Sequence, residues 1–185
     1  MTTPIAVDGR PVAVEWANFF VNDNKISRNK YIYTEGAQRM SEEAIWPLKY
    51  PFFADCSAFV TVCYSLAGMH DPNGQKYNHT GYTGTLLANG RHIDNINYVH
   101  PGDIVVYGTG TGSHAAIVVE VHAKDGGRDI LTASFGQQGD PSYCWVDRPT
   151  SVPSRGYGYD GRHPQTFLAF DPTVVRTQHH PKDIK

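Results

Sequence analysis

Asp55-Cys56-Ser57-Ala58-Phe59-Val60-Thr61-Val62-Cys63-Tyr64-Ser65-Leu66-Ala67-Gly68 is the stretch on which the reading of this chain turns. Phe59, Val60, Cys63, Tyr64 and Ala67 recur at three-and-four spacing, which predicts an amphipathic helix over 55–67. Asp55 is a helix-capping residue type, and Gly68 is placed to end the helix. Such a helix carries Cys56 in its first turn, where free backbone N–H groups and the positive end of the dipole favour a thiolate. The same N–H groups can hold the oxyanion formed when a thiolate attacks a carbonyl. Most free cysteines are small buried core residues, so placement alone leaves Cys56 open between nucleophile and core. Cys63 shares the face of Phe59 and Val60 and reads as core. Cys144, between Tyr143 and Trp145, has no helix start or base signal beside it.

Upstream, Ala13, Trp16, Ala17 and Phe20 share one face of a helix predicted over 12–21. Tyr31–Gly36 is a short aromatic segment, and Ser41-Glu42-Glu43-Ala44 reads as a helix start with a Ser cap and early acids. Downstream, Asp71-Pro72-Asn73-Gly74 is turn chemistry, and the stretch 70–101 is expected to be a long surface excursion. The period then changes. Residues 103–107 and 114–122 are dense in Val and Ile, Asp125-Gly126-Gly127 is a turn leading to a strand over 130–135, and 166–170 is a last strand. Helices followed by antiparallel strands make an α+β domain. We expect one domain over 1–185, with its core at about 12–170 and a polar, loosely held tail over 171–185.

The 185 residues are 40% hydrophobic and 18% charged, enough for a sizeable core and unlike a disordered chain. A formal net charge of −2 gives no footprint for nucleic acid or an anionic membrane. Three cysteines make no even disulfide set, and Cys56 and Cys63 lie about 10 Å apart along a helix, too far to bridge. The first residues carry no basic segment followed by an apolar run, and no stretch of about twenty apolar residues exists. The expectation is a soluble chain made in the cytoplasm without a signal peptide. Neither His-Glu-x-x-His nor Cys-x-x-Cys occurs, so a zinc enzyme is disfavoured and no cofactor is expected.

A cysteine nucleophile needs an imidazole, and nine histidines compete. His114 opens the strand Ala115-Ala116-Ile117-Val118-Val119 directly after the Gly-rich Thr109–Ser113, at the rim of a cleft and on a rigid support. His70, His79, His92 and His100 fall in the turn-rich excursion, and His179 and His180 in the tail. His122 is expected on the same strand face as His114 but about 26 Å away, and Glu120 about 20 Å away. A hairpin folded at Asp125–Gly126 sets His114 opposite about Gln137, give or take two or three residues. Gln137 is the leading orienting group, with Ser134 and Thr132 inside that range.

Asp55-Cys56-Ser57-Ala58-Phe59-Val60, then Pro101-Gly102-Asp103-Ile104-Val105-Val106-Tyr107, then His114-Ala115-Ala116-Ile117-Val118-Val119 together resemble the NlpC-type cell-wall endopeptidases. The likeness spans roughly 33–136. Tyr33-Thr34-Glu35-Gly36 with Asp71-Pro72-Asn73-Gly74 and Tyr82-Thr83-Gly84-Thr85 is similar to lysins of phages infecting actinobacteria. The resemblance implies a papain-like fold, with the nucleophile helix packed on an antiparallel sheet. It implies Cys56 as nucleophile, His114 as base, a tyrosine at the oxyanion site (Tyr33, with Tyr50 as fallback), and Asp55 and Ser57 holding the peptide stem. The chain departs from the family in Ala58, where Gly is usual, in a longer Tyr-to-Cys spacing, and in the strand Thr132–Gly136, which offers no His, Asn or Gln.

The function so implied is a peptidoglycan endopeptidase cutting stem-peptide bonds, as a phage endolysin reaching the wall after release. An N-acetylmuramoyl-L-alanine amidase on the same scaffold is the nearest variant. A catalytically silent wall-binding or tail-associated domain is the reading from another class. The expected partner is the wall stem peptide, with no nucleic acid, no membrane and a monomeric chain.

Overall fold

The computed structural model describes residues 6–26, 30–124, 127–136, 140–146 and 157–184. Helix α1 (Arg10–Ile26) leads to strand β1 (Tyr31–Tyr33), which pairs in parallel with β2 (Phe52–Ala54). Strand β2 runs through Asp55 straight into α2 (Cys56–Leu66). Helix α3 (Thr83–Asn89) and β3 (Arg91–His92) follow, then β4 (Ile104–Tyr107), β5 (His114–Lys124), β6 (Gly127–Phe135), β7 (Pro141–Trp145), β8 (Gly158–Tyr159) and β9 (Gln165–Ala169). The last seven strands form one sheet in the order β3-β9-β4-β5-β6-β7-β8, antiparallel except between β7 and β8. The fold is α+β. Among the described residues no helix is long and apolar enough to cross a membrane.

Strand alternation divides the sheet into two apolar faces. Ala115, Ile117, Leu131, Ala133 and Phe135 meet Trp16, Phe20, Phe59 and Cys63 of α1 and α2. Val105, Tyr107, Ala116, Val118, Ile130 and Phe167 form a smaller cluster on the other face. Each large side chain sealed in the first cluster is worth about 2 kcal/mol of apolar burial. Helix α2 is buried along its whole length. The Tyr64 hydroxyl donates to the Gly102 carbonyl at 2.6 Å, which ties the helix to the entrance of β4. Gly102 has φ +95°, and a Cβ there would meet Arg10 Cβ at 2.5 Å, so only glycine fits.

A bulge between Val118 and Glu120 reverses the alternation of β5. Before it, Ala116 and Val118 face the smaller cluster; beyond it, Val121 does, and the His122 ring turns toward Trp145 of the main core (6.1 Å). His122 therefore does not share the face of His114, contrary to the sequence expectation. It instead pairs with Glu120 at 3.0 Å.

Three further expectations need correction. The helix start at Ser41 is absent: residues 37–44 form successive turns closed by three-residue bonds such as Ser41 N–H to Gln38 O (2.9 Å). The Ser41 hydroxyl donates to Glu42 instead of capping, and Ala44 has φ +56°. The 70–101 stretch is not merely a surface excursion, because Asn73, Leu86 and Val99 are fully buried and it contains α3 and β3. Asn73 is satisfied by Thr61 Oγ1 at 2.9 Å and Thr85 Oγ1 at 2.7 Å.

The tail is docked, not loose. At the end of α2 the carbonyls lack helical partners. Val175 and Arg176 N–H groups donate to Gly68 O (2.8 and 3.0 Å), His179 N–H donates to Leu66 O (2.8 Å), and Gln178 Nε2 donates to Ala67 O (3.1 Å). Trp16 Nε1 donates to His179 O at 2.7 Å, and the His179 ring stacks on Trp46 at 4.3 Å. Removing residues 171–185 exposes these carbonyls. Thermal unfolding followed by circular dichroism should show a midpoint lower by on the order of 10 °C. An unchanged midpoint would mean the docked tail carries no stability.

Glu43 is nearly fully buried; its Oε2 accepts the His79 N–H at 2.9 Å, while Oε1 has no partner. Burial pushes its pKa from 4.5 up to about 7, and the nearby Asp71 charge adds to the shift. The folded-state value lies above the unfolded one. The contribution to stability is therefore full below about 4.5 and is lost as pH rises through about 7. Denaturant unfolding should find Glu43→Gln more stable than wild type at pH 8, by on the order of 2 kcal/mol, and near parity at pH 5. A less stable variant at pH 8 would show that the ionised carboxylate is needed as an acceptor.

Candidate active site

Asp55 starts α2. Its Oδ1 accepts from Ala58 N–H at 2.7 Å and from the Ser57 hydroxyl at 2.8 Å. Its Oδ2 pairs with Arg39 Nη1 at 3.1 Å. Arg39 also reaches Ser57 Oγ at 3.4 Å and the Gly81 carbonyl, so one guanidinium ties the helix start to the loop before α3. Asp55 and Ser57 are both buried, and their polar atoms are engaged in this cap.

The cap presents Cys56 to the end of the sheet. Strands β5 and β6 pair only as far as Ile117 and Ala133, while β5 continues to His114 paired with β4 alone. Near the opening between β5 and β6, the backbone N–H groups of Ala115 and Ser57 act on the Cys56 thiol and favour its thiolate form. No hydrogen bond joins thiol and imidazole themselves. His114 lies beside Tyr107, ring centroids 5.8 Å apart, and is 8% exposed.

A cavity of about 730 Å³ opens beside His114; Cys56 is not among its described lining residues. Tyr33, His114 and Ser134 line one part of it, and Cys144, Asp160 and Arg162 another. Tyr33 extends from the end of β1, packs edge-on against Phe135 and donates its hydroxyl to Glu35 at 3.2 Å. Burial and the nearby Cys56 raise its pKa. Tyr50 instead sits against Tyr31 (6.0 Å) and under Lys30, away from this lining. Ser134 lies on the His114 face of the sheet and lines the cavity. Thr132, further down that face, donates to the Cys144 carbonyl at 2.8 Å. Gln137 lies outside the described residues. The bulge in β5 moves the register by one, so the position opposite His114 extrapolates to Gly136.

Asp160 and Arg162 have no counterpart in the sequence reading. They follow β8, and no local pattern linked them to the cysteine helix. Arg162 Nε donates to Asp160 Oδ1 and Oδ2 at 2.8 and 3.0 Å, and Nη2 also reaches Oδ2. The guanidinium carbon stands 5.4 Å from the centre of the Tyr107 ring. Burial holds the His114 pKa down at about 4, and the Arg162 charge lowers it further, partly opposed by Asp160. Burial also pushes the Cys56 thiol up to about 11, with Asp55 adding to the rise and the Ala115 and Ser57 N–H groups and Arg162 opposing it. The resting pair is therefore neutral thiol and neutral imidazole. Among the described residues no three His, Cys, Asp or Glu side chains gather in a metal-holding group.

No family model matches the chain, and no curated protein matches it. Among solved structures, the chain is similar to the P60 domain of an antigen from M. avium subspecies paratuberculosis. That match has TM-score 0.44 and 16% identity, over 86% of this chain and 96% of that one. It is also similar to the peptidoglycan hydrolase RipB from Mycobacterium tuberculosis, with TM-score 0.44 and 20% identity over 87% of this chain and 66% of that one. NlpC2 from Trichomonas vaginalis gives TM-score 0.45 and 16% identity over 89% of this chain and 48% of that one.

The electrostatics of the pair can be read directly. In an NMR titration the His114 ring should change charge near pH 4, below the ordinary histidine value of 6.5. Arg162→Gln should move that midpoint upward, because a repelling cation is removed. A wild-type midpoint at or above 6.5 would overturn this description.

Proposed function

We propose that the chain is a cysteine hydrolase in which Cys56 attacks a carbonyl and His114 manages the proton, and that its substrate is the stem peptide of bacterial peptidoglycan. The observation that supports the chemistry is the cavity lined by Tyr33 and His114, with the backbone N–H of the neighbouring Ala115 acting on the Cys56 thiol. The ordered blocks around Cys56, Gly102-Asp103 and His114, and their resemblance to NlpC-type endopeptidases, carry the choice of substrate. Tyr33-Thr34-Glu35-Gly36 supports the narrower reading of a phage endolysin.

The neutral resting pair implies that the thiol proton passes to His114 as the sulfur attacks. Attack forms the carbon–sulfur bond and pushes the carbonyl electrons onto oxygen. In this reading, backbone N–H groups at the start of α2 and the Tyr33 hydroxyl receive that oxyanion. The oxyanion then collapses, the carbon–nitrogen bond breaks, and imidazolium His114 gives its proton to the leaving amine. A water molecule, deprotonated by His114, attacks the thioester and releases the acid product together with the free thiol. Asp160 acts in this scheme through its charge, which partly restores the basicity of His114.

Clearing of purified wall sacculi tests the proposal. Cys56→Ser and His114→Ala should each lower the rate by at least about 1,000-fold, and a chelator should leave the wild-type rate intact. Clearing that survives Cys56→Ser would end the cysteine mechanism. Mass spectrometry of the fragments should show cleavage within the stem peptide; release of intact stems from the sugar would make the enzyme an amidase.

A further inference from the structure

At the other end of α2 from Cys56, a second cavity of about 330 Å³ opens between the loop 69–77 and the docked tail. Small-molecule sites run from about 300 to 1,000 Å³, so this one suits a compact ligand. Its floor is apolar: Met69 is fully buried, Tyr77 nearly so, and the half-exposed Val175 closes one side. His70, Lys76 and Arg176 stand around the opening. The eleven residues of α2 set it about 16 Å from the cysteine chemistry.

The loop holds a conformation that its side chains do not favour. Lys76 and Tyr77 are consecutive non-glycine residues with φ +58° and +57°. Left-handed backbone persists at such residues only where the surroundings impose it, and it gathers at functional places. One carboxylate imposes it here. Asp71 Oδ2 accepts from the Gln75 and Tyr77 N–H groups, both at 2.9 Å, while Oδ1 accepts from Asn73 N–H at 2.9 Å and Nδ2 at 3.2 Å. The Tyr77 hydroxyl donates to Met69 O at 3.0 Å. From the tail, Arg176 is anchored by its N–H on Gly68 O, and its guanidinium lies 4.8 Å from the centre of the Tyr77 ring. The strained turn thus brings Lys76 to the opening that Arg176 enters from the far end of the chain. Asp71 is engaged with its own loop, and His70 faces Asp171 at 3.9 Å. Among the described residues neither Lys76 nor Arg176 is in an ion pair.

We infer that this cavity binds a small phosphate monoester with an apolar arm. Two cations from separate segments converge on one opening, and a phosphate monoester carries nearly two negative charges at neutral pH where a carboxylate carries one. Arg176 supplies a planar fork and Lys76 a point charge, two complementary ways of holding phosphate oxygens. The floor of Met69, Tyr77 and Val175 covers the organic arm, which inorganic phosphate lacks.

The test is calorimetry on the whole chain at low salt with phenyl phosphate, benzoate and inorganic phosphate. Phenyl phosphate should bind at least about 10-fold more tightly than either of the others, the difference expected of one charge-assisted contact or of a buried ring. Amide shifts of Tyr77 and Val175 should move on binding, and that of Ala115 should not. Arg176→Gln and Lys76→Gln should each weaken binding about 10-fold, and Arg91→Gln, an exposed arginine elsewhere, should leave it unchanged. Lys76→Gly relieves the left-handed strain, so its thermal midpoint should be a few degrees higher while its binding is weaker. Sedimentation with vesicles containing phosphatidic acid separates the sources: pelleting that phenyl phosphate competes away assigns the ester to a lipid, and no pelleting assigns it to a free small molecule. No saturable binding of phenyl phosphate below about 10 mM, equal binding of benzoate, or affinity that survives both Arg176→Gln and Lys76→Gln would each overturn the inference. A lower midpoint for Lys76→Gly would do the same, because Lys76 would then serve the fold and not a ligand.

Discussion

The bond from the Ala58 N–H to the Asp55 carboxylate fixes where α2 begins, and everything around Cys56 follows from that point. One residue of slippage would rotate the cysteine by about 100° around the helix axis, away from the opening between β5 and β6. The cap is reinforced from outside the helix: Arg39 joins Asp55, Ser57 and the Gly81 carbonyl. Aspartate suits this place because its short carboxylate can accept two donors locally and still pair with a cation. The same charge raises the Cys56 pKa, so the group that positions the thiol also works against its ionisation.

That opposition is resolved by the sheet. A strand running fully paired to its end would offer no free N–H to a sulfur. Because β5 and β6 part beyond Ile117 and Ala133, the Ala115 N–H is available at the place where the helix start arrives. Burial disfavours imidazolium and thiolate alike, and it is the largest cause of both shifts. Under the proposed mechanism, charge on the pair would form only while a carbonyl is being attacked. Tyr33 reaches the same cavity from the separate β1–β2 pair, whose β2 is covalently continuous with the cap.

Local features were legible in the sequence. The amphipathic spacing of Phe59, Val60, Cys63 and Tyr64 gave the helix to within a residue at each end, the Val- and Ile-rich runs gave β4 and β5, and apolar segments after them gave β6 and β9. Features that depend on a distant partner were not. Nothing local at Val119 announces a bulge, yet the bulge reverses the face of His122 and moves the register opposite His114 by one. Ser41-Glu42-Glu43 has the composition of a helix start, but Glu43 is claimed by His79 and Ser41 by its neighbour. The polar composition of 171–184 reads as solvated, whereas its main-chain donors find carbonyls that α2 leaves open. Asp160 and Arg162 were invisible because a site residue contributed by a late turn has no period and no motif; only the sheet order, with β8 beside β7 and β9 beside β4, brings it to the cavity.

The two ends of α2 show why such a site can be kept polar inside a buried helix. Each end leaves several backbone groups without helical partners, and a fully buried helix cannot hand them to water. At the C-terminal end the problem is closed permanently by Val175, Arg176, Gln178 and His179. At the N-terminal end Asp55 takes the Ala58 N–H, and the Ser57 N–H acts on the thiol. Sealing one end with the tail secures the helix, while under the proposed mechanism the other end would face the reacting carbonyl.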